Sequence, residues 1–140
     1  NKYIYMVYDC VLVDCSGSMA AIGKSGNTRT QETLDMLFDM LRGQGQFAHP
    51  TPLQIDRKTL IIPFDSAPRG GITMGLLEQM SRAEVEKIFA PRGSTNIPLA
   101  IQFGGSTNIL VLTDDPASVN KATSSLGTSL QDVFPIVDIS

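Results

Sequence analysis

The chain has 140 residues, 42% hydrophobic and 18% charged, and its 11 Lys and Arg against 14 Asp and Glu leave a net charge of −3. That is the length of one domain, 1–140, able to bury roughly two-thirds of the surface its unfolded form exposes, so neither a metal nor disulfides are needed to close the core. Scattered basic residues form no stripe for nucleic acid, and the longest apolar runs fall well short of the ~20 residues a membrane span requires.

The first strong segment, residues 2–14, is β-branched and aromatic. Its end, Cys10-Val11-Leu12-Val13, is apolar on both faces, which predicts a central strand covered on both sides. All three tyrosines, Tyr3, Tyr5 and Tyr8, precede that end, as a partner surface or as the lining of a strand extension. The strand stops at the turn formers Asp14-Cys15-Ser16-Gly17-Ser18. On an extended chain Cys10 and Cys15 stand roughly 16 Å apart, so they read as free thiols, which favours a reducing, cytoplasmic setting.

A helix is expected over residues 30–42, because Leu34, Leu37, Phe38 and Leu41 share one face and Gly43 can end it. Residues 44–54, which include His49, read as a solvated connection, with His49 a surface residue. Leu60-Ile61-Ile62-Pro63-Phe64 predicts a second buried strand, with a short edge strand near 71–74. Ser81-Arg82-Ala83-Glu84 has the form of a capping box for a helix burying Val85, Ile88 and Phe89. A loop at 92–96 leads into about two helical turns, 97–103, and Asn108-Ile109-Leu110-Val111-Leu112 predicts a third apolar strand. A helix over 118–126 and a last strand over 133–139 complete the pattern. Strands alternating with helices predict an α/β fold with a doubly wound, mostly parallel central sheet and helices on both faces.

In such a sheet ligands gather outside the carboxyl ends of the strands. The loops there carry Asp14, Ser16 and Ser18, then Thr95, then Asp114. Two carboxylates and three hydroxyls are hard oxygen donors, suited to Mg²⁺ or Mn²⁺ rather than zinc. Neutral hydroxyls around the ion would leave it short of negative charge and ready to take one more anionic oxygen, such as a partner's Asp or Glu.

Val11-Leu12-Val13-Asp14-Cys15-Ser16-Gly17-Ser18-Met19 resembles the first strand and metal-binding turn of von Willebrand factor A domains, in the Asp-x-Ser-Gly-Ser-Met form of intracellular members. Gly93-Ser94-Thr95-Asn96-Ile97 resembles the family's threonine loop and Val111-Leu112-Thr113-Asp114-Asp115 its Thr-Asp-Gly strand end, with Asp115 in place of the glycine. The resemblance implies a Rossmann-like sheet and a metal-ion-dependent adhesion site. Its ligands would be Asp14, Ser16, Ser18, Thr95 and Asp114, with Met19, Ser94, Asn96 and Asp115 as ligand-binding neighbours. The implied ion is Mg²⁺, replaceable by Mn²⁺ or Ca²⁺. The implied function is cation-dependent capture of an acidic side chain on a partner protein, as part of a larger chain or assembly, with no catalytic residue.

Two other readings compete. One is a metal-dependent phosphatase or hydrolase using Asp14, although the acid that haloacid-dehalogenase-like enzymes carry two positions later is Ser16 here. The other is a scaffold with a vestigial site. A phosphate loop is disfavoured, since five residues rather than four separate Gly17 from Gly23.

Overall fold

A computed structural model of the chain describes residues 7–43, 54–105, 108–115, 117–118 and 133–138. Tyr3, Tyr5, His49 and most of the helix expected over 118–126 lie outside them. The strands are β1 (Cys10–Asp14), β2 (Leu60–Phe64), β3 (Ile72–Thr73), β4 (Ile109–Thr113) and β5 (Val133–Asp138). The helices are α1 (Arg29–Leu41), α2 (Met74–Glu78), α3 (Arg82–Ile88) and α4 (Ile97–Gly104), and a 3-10 turn covers Gly17–Ala20. Among the described residues no helix is long and apolar enough to cross a membrane.

The strands form one sheet in the order β3-β2-β1-β4-β5. β1 pairs in parallel with β2 and β4, β4 pairs in parallel with β5, and β2 pairs antiparallel with β3. The sheet is therefore mixed, and the expectation of a doubly wound, Rossmann-like sheet is corrected. Only residues 65–71 separate β2 from β3. A parallel crossover takes about a dozen residues or more, so the chain has to double back.

Two prolines sit where a missing N–H is tolerated. The Leu60 amide donates to Asp9 O and the Cys15 amide to Phe64 O, so residues 60, 62 and 64 bond toward β1. Pro63 therefore faces the other side, where β3 pairs only with Leu60 and Ile61, and its carbonyl accepts from the Arg69 amide. Pro135 lies at a register shift. Leu110 pairs with Phe134 but Leu112 with Val137, so β5 carries one extra residue there, as in a β-bulge.

Alternation along β1 sends Val11 and Val13 to one face and Cys10 and Leu12 to the other. The first face packs against Leu34, Leu37 and Met40 of α1, Met74 and Leu77 of α2, and Val85 and Phe89 near α3. The second packs against Ile97, Ala100 and Ile101 of α4. Gly104 lets α4 come close to the sheet: a Cβ there would stand 3.4 Å from both Cys10 Sγ and Ile109 Cδ1.

Capping sets the helix starts. Thr28 and Gln31 form a reciprocal capping box for α1, and Ser81 and Glu84 one for α3. The buried face of α1 is rotated from the expected one. Thr33, Leu34, Leu37 and Met40 are fully buried, while Phe38 and Leu41 are only partly so. Tyr8 is also core, at 3% exposure.

Candidate functional site

The carboxyl ends of β1, β2 and β4 form one polar rim. Asp14 ends β1 with 1% of its surface exposed. One carboxylate oxygen, Oδ1, accepts the Ser16 amide at 2.8 Å, and the other accepts the Thr113 hydroxyl at 2.7 Å. Both partners are neutral. Burial raises the Asp14 carboxyl above its ordinary value; the Ser16 and Thr113 bonds offset part of this and the nearby Asp114 charge adds to it.

Ser16 is buried just before the 3-10 turn, which brings the exposed Ser18 round so that the two hydroxyls are hydrogen-bonded with their oxygens 3.2 Å apart. Met19, on the same turn, is fully buried in the core. The turn is fastened to α1, since Thr30 Oγ1 donates to Met19 O at 3.1 Å and the Arg29 amide to Ala21 O at 2.9 Å. Cys15 is a buried free thiol, and burial pushes it up to about 12, a state without thiolate reactivity at neutral pH.

The loop carrying Thr95 docks directly on this turn. The Arg92 amide donates to Cys15 O at 2.8 Å and the Gly17 amide to Gly93 O at 2.9 Å. Thr95 and Ser94 are exposed beyond this contact, and Asn96 caps α4 by accepting the Leu99 amide. Gly93 has φ of 71°, a left-handed conformation that an L side chain adopts at a cost. Gly93→Ala is expected to destabilise the fold by about 1 kcal/mol, read as a lowered Tm.

Just past β4, Asp114 accepts Arg29 Nη1 at 2.9 Å, and the same nitrogen stands 3.4 Å from Ser18 O. Asp115 turns away into a local cap: its amide donates to Thr113 Oγ1 and its carboxylate accepts the Ser118 hydroxyl. The structure thus groups Asp14, Ser16 and Ser18 and ties Asp114 to the same turn through Arg29. It places Thr95 on the adjoining loop.

A third carboxylate, Asp65, stands at this rim beside Asp14 and Asp114. Asp65, 7% exposed at the end of β2, accepts the Ala67 amide, two nitrogens of Arg69 (3.1 and 3.0 Å) and Arg92 Nε (3.1 Å). Its carbonyl accepts the Asn96 amide, and Arg69 also donates to Cys15 O and Ile88 O. Burial alone would raise this carboxyl, but the Ala67 amide and the two guanidiniums outweigh it and hold it at about 2. The four-residue spacing to Arg69 was the available signal; Arg92 and Asn96 are joined to it only by the fold.

These features define a small α/β domain with an oxygen-rich rim at its strand ends. No family model matches the sequence, and no curated protein does. Among solved structures it is similar to the PilB minor pilin from Streptococcus sanguinis, at 15% identity and a TM-score of 0.41, over 79% of this chain and 31% of that one. The chain spans about a third of the pilin's length.

The von Willebrand factor A assignment and its metal-ion-dependent adhesion site are accordingly corrected. No family model supports them, and among the described residues no three of His, Cys, Asp and Glu gather to hold a metal. The quoted motifs are short runs of turn-forming residues, which occur after strands for local reasons alone.

Proposed function

We propose that the chain is a protein-binding module in which a divalent cation, Mg²⁺ or its substitutes Mn²⁺ and Ca²⁺, links the rim to an acidic side chain of a partner. Asp14, Ser16 and Ser18 would hold the ion, with Asp114 and Thr95 contributing from the neighbouring loops. The ion would supply a positive charge able to accept a carboxylate oxygen from outside.

The observation that carries this reading is the buried Asp14 carboxylate, bonded among the described residues only to neutral groups and set beside two seryl hydroxyls. A buried charge is normally paired. The hydroxyl spacing of 3.2 Å also suits neighbouring ligands of Mg²⁺, which at 2.0–2.1 Å from an octahedral ion lie about 3 Å apart. A donor set of hydroxyls and single carboxylates is compatible with the absence of a three-carboxylate cluster among the described residues. The reading assigns no catalytic residue.

One observation favours a purely structural reading, namely that Asp114 already has a cationic partner in Arg29. Calorimetric titration separates the two. The binding reading expects heat on adding Mg²⁺, and retention of an acidic partner that EDTA abolishes and renewed Mg²⁺ restores. Absence of both heat and thermal shift with Mg²⁺ and with Mn²⁺ would leave the structural reading.

A further inference from the structure

We propose that Arg29 is a built-in competitor of the cation: it occupies Asp114 when no ion is bound, and so sets how tightly the rim takes one. The inference rests on the cation-binding reading above. Arg29 is the first residue of α1, and its Nη1 bridges Asp114 Oδ2 at 2.9 Å and Ser18 O at 3.4 Å. Its positive charge therefore stands on the segment carrying the seryl hydroxyls and on one of the two carboxylates assigned to the ion.

The guanidinium is poorly satisfied in this position. Among the described residues, its Nε is buried without a hydrogen-bond partner. Its hold on the carboxylate is single, one nitrogen on one Asp114 oxygen, where the planar fork could engage two. The Asp114 side chain is 6% exposed and that of Arg29 24%, so solvent screens the pair only in part.

Charge arithmetic gives the direction. Asp14 and Asp114 carry two negative charges, and Arg29 cancels one. A divalent ion entering beside Ser18 meets a net −1 with Arg29 present and −2 without it. Its arrival also sets two cations against one Asp114 carboxylate, which favours displacement of the more weakly held guanidinium. Binding of the ion is thereby coupled to release of the α1 terminus from β4.

The test is calorimetric titration of the whole chain with MgCl₂ and with MnCl₂, for the unmodified protein, Arg29→Gln and Arg29→Lys. Arg29→Gln is expected to bind about tenfold more tightly, while Arg29→Lys, which keeps the charge, stays near the unmodified value. The stabilisation on adding Mg²⁺ should also be larger for Arg29→Gln, because Asp114 then lacks a partner until the ion arrives. Equal or weaker binding by Arg29→Gln overturns the inference while leaving the cation site standing. Absence of binding by every variant overturns the cation reading itself. Should Arg29→Gln fail to fold, the guanidinium NMR signals of Arg29 in the unmodified chain decide. They are expected to shift as Mg²⁺ binds, and signals that stay fixed through saturation overturn the competitor role.

Discussion

Asp65→Ala is expected to cost about 3 kcal/mol of unfolding free energy, because it leaves the Arg69 guanidinium, whose side chain is only 10% exposed, beside an empty carboxylate position. The same substitution removes the acceptor for Arg92 and the Ala67 amide, so the Thr95 loop loses one of its ties to β2. Denaturant unfolding followed by far-UV circular dichroism measures the effect, and a loss below 1 kcal/mol would show that water takes over the arginines without penalty.

The pH dependence of that contribution follows from the depressed Asp65 carboxyl. Its folded value of about 2 lies below the ordinary 3.8, so the unfolded chain takes up the proton first as pH falls. The stabilisation is fully present above about pH 4 and is lost as pH drops through about 2, a change of about 2 kcal/mol. Asp65→Ala should lose this part of the acid sensitivity.

Asp14→Asn is expected to do two opposite things. Without divalent ions the variant should be at least as stable as the unmodified chain, since the Asp14 carboxyl is raised and its charge is less favoured in the fold than in the unfolded chain. The new amide can keep the Ser16 bond through its oxygen and donate to Thr113 Oγ1 through its nitrogen. With Mg²⁺ present, the stabilisation expected of the unmodified chain should vanish. Thermal unfolding with EDTA and with Mg²⁺ gives both readings, and a variant that still responds fully to Mg²⁺ would sink the assignment of Asp14 as a ligand.

Much of the fold is legible where one chemical signal dominates. The cores of β1, β2 and β4 are continuous apolar runs, and the capping box at Ser81 marks α3 within a residue. α2 escapes because Met74–Glu78 is too short to show a period, its start marked only by the Thr73 hydroxyl accepting the Leu76 amide. The reversal of β3 was implicit in the length of the 65–71 link, which general strand–helix alternation obscures.

At the rim, Asp14, Ser16 and Ser18 were legible as a turn because they are neighbours in sequence. Arg29 was not, since its partner Asp114 lies 85 residues away and an arginine at a helix start carries no local sign of such a pairing. The resemblance to a known family failed for a related reason. Short motifs of turn formers are written by local backbone needs, and no family model supports that family here.

The side of β2 bearing Pro63 also limits how these molecules can meet. β3 pairs with only two residues of β2. Past them, an incoming strand from another molecule would find a proline without a donor and a carbonyl already engaged by Arg69. Continuation of the ladder along that margin is therefore closed, a safeguard against runaway fibre growth written into the backbone itself.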